Sequence, residues 1–410
     1  MTTTHQRSGS AWPIIIACAA LMAITTGIRL SLGLFVRPIA ATGIGFGAIS
    51  LVLAIGQFWW GAVQPLFGLL AERISAQRVL IFGGLLLGSG LALAPLFPNR
   101  TGLLFTLGIL SAAGAGAASF AILIGAAAQR LPPERRAFAS GVINAGGSLG
   151  QFLMAPLVQM MISTWGWAIA MWGLAAAGFA SIFLARPAAG PVSAPTTISA
   201  ARTTSAREEL SRAFRDRSYL CLHLGFFTCG FHIAFLVTHL PSEIALCGLP
   251  SQAAGVALGL IGLFNIAGSV LVGWLGGRFR MKILLAELYA ARAVVIVIYL
   301  FAPKTVTTLY VFSGALGMTW LATVPPTAGL VGKLFGSSRL STLFGLTLFS
   351  HQVGAFFGAW LGGVAMALSG SYDWIWYADV ALAILAALVT LPIREAVPPS
   401  PRPAAISTPN

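Results

Sequence analysis

Residues 27–38 read GIRLSLGLFVRP, and 203 positions later residues 230–241 read GFHIAFLVTHLP. Gly27 answers Gly230, Pro38 answers Pro241, and Arg29 answers His232. The correspondence extends outward from this pair. At an offset of 205, Gly68-LLA-Glu72-Arg73 answers Gly273-WLG-Gly277-Arg278, and at 204 Ser148-L-Gly150-Q-Phe152 answers Gln352-V-Gly354-A-Phe356. Three matches at nearly one offset mark an internal duplication. Each copy carries a basic residue inside an apolar run, where charge is costly and needs a purpose.

Of the 410 residues, 57% are hydrophobic and 8% charged, with a mean hydropathy of +0.88. That excludes an ordinary soluble domain. Apolar stretches long enough to cross a hydrocarbon core of ~30 Å recur throughout, so the chain reads as a polytopic membrane protein in a lipid bilayer. The hydropathy pattern predicts twelve spans, near 12–38, 46–71, 79–97, 102–128, 137–162, 166–185, 218–241, 251–276, 283–302, 306–331, 340–367 and 374–393. No strand alternation recurs, which argues against a barrel. The fold class expected is all-α, with twelve transmembrane helices in two pseudo-symmetric six-helix bundles.

A net charge of +14 would point to nucleic acid in a soluble protein. Its distribution points elsewhere. With both termini in the cytosol, 19 of the 24 Lys and Arg residues fall on that side, while Arg37, Arg100 and Lys304 fall outside and Arg29 and Arg292 lie within spans. This is the positive-inside pattern, and no nucleic-acid partner is expected. The first apolar run is too long for a signal-peptide core and reads as a retained helix. The four cysteines, Cys18, Cys221, Cys229 and Cys247, all lie in or at the ends of apolar spans, so no disulfide framework is indicated.

The expected organisation is a cytosolic tail (1–11), a first bundle (12–186), a linker (187–217), a second bundle (218–393) and a disordered Pro-rich tail (394–410). Within the linker, REELSRAFRDRS has helical spacing and mixed charge, and predicts a short helix on the membrane surface. Two fused six-helix halves around a central cavity are a common plan for secondary transporters.

In the loop after the second span, Gly68-LLA-Glu72-Arg73-ISAQ-Arg78 resembles the Gly-x-x-x-Asp-Arg-x-Gly-Arg-Arg motif of the major facilitator superfamily, with Glu72 for Asp and Ser75 for Gly. Its counterpart, Gly273-WLG-Gly277-Arg278-FRM-Lys282, has lost the acid. The resemblance implies that Gly68, Glu72, Arg73, Arg78, Gly273 and Arg278 belong to a gate rather than to a substrate site. Topogenic charge is the plainer reading of the charged members. Within the superfamily the chain looks most like bacterial relatives of the monocarboxylate porter and oxalate:formate antiporter branch. The residues that carry this likeness are Arg29 in the first span, GGSLGQFLMAP (146–156) in the fifth and Phe264-Asn265-IAG ahead of Gly273-Trp274. Relatives often carry a substrate arginine in the eighth span; here that stretch is Gly268-Ser269-Val270. A working monomer and a bacterial inner-membrane location follow from the same resemblance.

Transport makes no bonds, so the candidate residues are polar groups at mid-depth. Arg29 leads, because a guanidinium inside a span costs at least ~2.5–3.5 kcal/mol and an organic anion could repay it through two parallel hydrogen bonds. His232 occupies the symmetry-related position, and its imidazole suits anion binding or a proton-coupled step. His351 and Gln352 lie near the middle of the eleventh span, as ligands or interhelical hydrogen bonds. Gln57, Asn144, Gln151 and Asn265 are weaker candidates of the same kind. Trp59, Trp60, Phe120 and Trp320 could wall a site or simply pack. Arg292, in the ninth span, is expected to pair with Glu287 or Asp379 or to serve a second anion site.

The leading reading is a secondary transporter of small organic anions, coupled to a proton or to a counter-substrate. An exporter of amphipathic drugs is the first alternative. A soft-metal carrier built on Cys229 and His232, or Cys221 and His223, is the second. No Walker motif is present, and neither an enzymatic activity nor a cofactor is expected.

Overall fold

The computed structural model describes residues 12–131, 133–190, 206–336 and 340–395. The N-terminal tail, linker residues 191–205 and the C-terminal tail beyond Glu395 lie outside the described residues.

Among the described residues all regular structure is helical. Seven long apolar helices are continuous or nearly so: α1 (Trp12–Ala40), α2 (Phe46–Ala71), α3 (Ala76–Leu96), α4 (Arg100–Ala127), then, after a 52-residue run, α7 (Arg217–Leu246), α8 (Ser251–Leu275) and α9 (Met281–Phe301). The 52-residue run, Phe138–Ala189, is two passages. Gly166 leaves the helical region at φ 83°, a conformation that suits only a residue without Cβ, and divides the run into α5 (138–165) and α6 (167–189). After α9 the chain crosses in two pieces, α10a (Val306–Thr319) and α10b (Val324–Phe335). Then come α11 (Leu340–Ser369) and α12 (Asp373–Thr390). The expected twelve passages are present. A short helix, Ala206–Phe214, precedes α7.

Two passages differ from the continuous spans expected. The tenth breaks at Trp320–Thr323 because Pro325 and Pro326 follow, which cannot donate to the preceding turn and fit only the start of a helix. The fourth carries a π-helical stretch, Leu104–Ser111, and breaks at Ala118–Ser119. The breaks stand at the repeat offset, so both halves are built with the same interruption.

Within each half, the glycines of the repeat let two helices cross with backbones touching. A Cβ on Gly150 would run into the Ala23 carbonyl, and one on Gly354 into the Phe227 carbonyl. These are the α1–α5 and α7–α11 crossings. Gly27 faces Gly150 and Met154 in the first, while Gly230 faces the His351 carbonyl in the second.

Because the passages number twelve, α1 begins and α12 ends on one face, here the terminal face. Toward the opposite face the halves are in contact: Gly33 lies on Val237 and Thr238, and Gly363 on Ser50. Contact continues to mid-depth through Gly255 with Gln159, Gly262 with Ser148, and Gly61 with Gln352. On the terminal side, Gly68, Gly125, Gly141, Gly273 and Gly345 face open space. The glycine contacts between the two halves thus lie at mid-depth and toward the opposite face.

Candidate substrate site

Arg29 lies in the last α-helical turn of α1, just before a tight 3-10 turn at Leu32–Phe35. Its Nη1 donates to Gln57 Oε1 at 2.7 Å, and its guanidinium lies 4.3 Å from the centre of the Trp60 ring. Both partners stand on α2. The indole face attracts the cation without neutralising it, and the amide oxygen orients it. Among the described residues no carboxylate lies within ion-pair distance of Arg29, so most of its five donors remain for another acceptor. It lines a partly open recess with Gln57, Ser111, Ala115, Gly33 and Thr238 among the walls. Ser111 and Thr238 were not singled out from the sequence, where isolated hydroxyls in apolar runs look like ordinary packing.

His232 does not share this recess. It is 1% exposed, and its Nδ1 lies 2.6 Å from Asp379 Oδ2, on α12. Asp379, on the peripheral helix α12, thus reaches the core helix α7. The expected pairing of Arg292 is corrected. Its Nη2 donates to the carbonyls of Thr319 at 2.7 Å and Trp320 at 3.0 Å. Those carbonyls end α10a, where a helix has unpaired acceptors and a partial negative charge, so a buried cation is well placed there. Glu287 is exposed and takes no part.

The same break is held from other sides. Asn265 on α8 accepts the Leu321 N–H at 2.9 Å and donates to Ser148 Oγ of the first half at 2.7 Å. Cys229 Sγ lies 3.4 Å from Thr323 Oγ1, and the buried Trp320 ring meets the His232 ring edge-on at 5.7 Å. This cluster surrounds a helix break rather than an open pocket.

The remaining candidates are scattered. His351 Nδ1 is 3.1 Å from Gln352 Nε2, and its ring lies 5.0 Å from that of Phe226. Gln352 packs on Gly61 across the two halves. Gln151 is buried against Gly262. Asn144 and Phe120 are half-buried, with Phe120 at the start of the helix after the α4 break. Among the gate candidates, Gly68 and Gly273 face open space. Arg73 and Arg78 are exposed, and Arg278 stacks on Trp274 at 3.7 Å. The Glu72 side chain lies outside what the structure describes. Among the described residues no group of three or more His, Cys, Asp or Glu is placed to hold a metal ion.

On the terminal face, Glu395 replaces the acid that the second loop motif lacks. It accepts the N–H groups of Met281 and Lys282 at the start of α9, at 3.1 and 3.0 Å, and Lys333 Nζ at 2.6 Å. Burial alone would raise its carboxyl, but the bonds from Lys333 and the two backbone N–H groups outweigh that and hold it below the ordinary value. Arg394 beside it pairs with Asp216.

A family profile described as Major Facilitator Superfamily matches residues 14–347. Monocarboxylate transporter 13 of Rattus norvegicus is 25% identical over 391 residues, covering 94% of this chain and 89% of the relative. Monocarboxylate transporter 12 of Homo sapiens is 23% identical, covering 90% of this chain and 78% of the relative. Among solved structures, a D-xylose-proton symporter superposes with a TM-score of 0.75 at 16% identity, over 93% of this chain and 97% of that one.

Proposed function

The chain belongs to the major facilitator superfamily of membrane transporters, and from that premise we propose that it carries a small organic anion, a monocarboxylate, by alternating access. One observation carries the reading: Arg29 stands in a recess with an amide and an indole for neighbours and, among the described residues, no carboxylate within ion-pair distance. A guanidinium in that setting is an incomplete ion pair, and a substrate carboxylate completes it with two parallel hydrogen bonds. Relatives named as monocarboxylate transporters support the same substrate class.

The arrangement of the halves fits one stage of such a cycle. The recess is shut toward the opposite face by Gly33 on Val237, and the glycine contacts between the halves lie at mid-depth and toward that face. The Lys and Arg bias supports a cytosolic terminal face, and on that reading this is an inward-open state; the location we propose is a bacterial inner membrane. Flux is driven by a proton or by a counter-substrate. The two halves are the moving bodies, joined by the linker.

Thermal stabilisation of the purified protein by a panel of pyruvate, L-lactate, benzoate, cationic dyes and divalent metal ions tests the substrate class. Carboxylates should raise the melting temperature of wild type and leave Arg29→Gln unchanged. Stabilisation by cationic dyes or metals alone would overturn the proposal.

A further inference from the structure

We propose that the hydrogen-bonded pair of His232 and Asp379 takes up the proton this carrier moves, and that Trp320 and Arg292 pass its loading to the break in α10. The inference rests on the carrier reading but not on Arg29 or on the identity of the anion.

Both members of the pair are 1% exposed, and Nδ1 and Oδ2 are 2.6 Å apart. The other imidazole nitrogen, Nε2, is buried without a partner, and so are Trp320 Nε1 and Arg292 Nε. Buried polar atoms are rarely left unpaired. With a neutral ring, Nδ1–H donates to Asp379 and the Nε2 lone pair meets nothing. A proton added at Nε2 forms one N–H bond from that lone pair and breaks none, leaving an imidazolium paired with a carboxylate. Release is the reverse.

The charge balance couples this proton to the helix break. Before loading, Asp379 and Arg292 supply one negative and one positive charge to the buried cluster, and they balance. After loading, the imidazolium takes the carboxylate for itself and the guanidinium is left uncompensated beside a second cation. A buried charge that loses its counter-charge is strongly destabilised. Arg292 is the group that holds the Thr319 and Trp320 carbonyls. Loading therefore weakens the clamp on the end of α10a. The next peptide, the Leu321 N–H, is tied through Asn265 to Ser148 of the other half. The break thus lies one residue from a bond between the halves, and it is a two-piece element able to take two arrangements.

Among the described residues, the other groups around the pair are these. Arg292 and Tyr289 face the cluster from α9 and Asp379 from α12, while Cys229, on the same helix as His232, is bonded to Thr323. His351 on α11 is turned to Phe226 and Gln352. The neighbouring face of α8 contributes Asn265, which does not titrate.

The test needs no substrate. A protonated imidazole quenches an indole beside it, and the His232 and Trp320 rings are 5.7 Å apart. Tryptophan emission of the purified protein, titrated from pH 5 to 9, should show a step in wild type that Trp320→Phe and His232→Gln abolish. Asp379→Asn keeps the shape and removes the charge, and should move the midpoint at least one pH unit lower. Spin labels at Gly68→Cys and Gly345→Cys, both facing open space in opposite halves, should report a distance change with the same midpoint. No step in wild type, a step that survives His232→Gln, or a distance that ignores the step overturns the proposal. Should His232→Gln fail to fold, the Trp320→Phe comparison and the Asp379→Asn midpoint still decide. Arg29→Gln should leave the step in place, which separates failure here from failure of the anion site.

Discussion

Gly33→Val should jam the closure on the opposite face. Gly33 lies in the 3-10 turn of α1 four residues after Arg29, and it packs against the backbone of α7. A Cβ there would collide with the Val237 carbonyl oxygen and come within 2.9 Å of both the Val237 carbonyl carbon and Thr238 Cα. Carbon atoms rest at about 3.5–4.0 Å, so α1 and α7 must part by roughly 1 Å or deform. Overpacking of this kind costs about 1–3 kcal/mol. The cost falls on the state in which these helices touch, so the population of that state drops about 5- to 150-fold relative to states open on the opposite face. Spin labels at Thr42→Cys and Gln252→Cys, exposed residues on the opposite face of the two halves, would measure it. Gly33→Val should add a longer-distance population and slow transport, with the folded fraction unchanged. A wild-type distance distribution together with wild-type transport would refute the reasoning.

Two further predictions concern bonds that brace the structure. Asn265→Ala leaves the part-buried Leu321 N–H without its acceptor and removes the link to Ser148, which should cost about 1–3 kcal/mol in thermal or denaturant unfolding. Ser148→Ala loses only the link between halves and should cost less. Glu395→Gln removes a carboxylate that accepts three hydrogen bonds and should destabilise the protein by about 1 kcal/mol at neutral pH. The folded carboxyl lies below its ordinary value of about 4.3, so its contribution is complete above that pH and is lost as pH falls through the lower folded value. Melting curves of wild type and Glu395→Gln should differ at pH 7 and converge in acid.

How much of this was legible in the chain depended on whether the partner was local. Hydropathy alone placed the twelve passages, because each must satisfy its own backbone within the bilayer. The repeat is visible at the crossings too, where Gly150 and Gly354 are small for one reason in both halves. Arg29 stood out as a lone charge, and its neighbours Gln57 and Trp60 were already candidates. His232 was located correctly on the helix and misread in its partner. Helical phase relative to a distant helix decides whether position 232 faces the cavity or α12, and no spacing within α7 encodes that. Arg292 was misread for another reason: its acceptors are backbone carbonyls, which have no sequence signature. Only the Pro325-Pro326 pair hinted that α10 would break and expose them.

The measurement that tests the central claim most directly is carboxylate counterflow in proteoliposomes. Labelled pyruvate and L-lactate would be followed into vesicles preloaded with the same compound. The account predicts saturable counterflow in wild type and loss of at least tenfold in Arg29→Gln, with Arg29→Lys between them because an ammonium keeps the charge but not the two-pronged geometry. Counterflow by Arg29→Gln at the wild-type rate would contradict it.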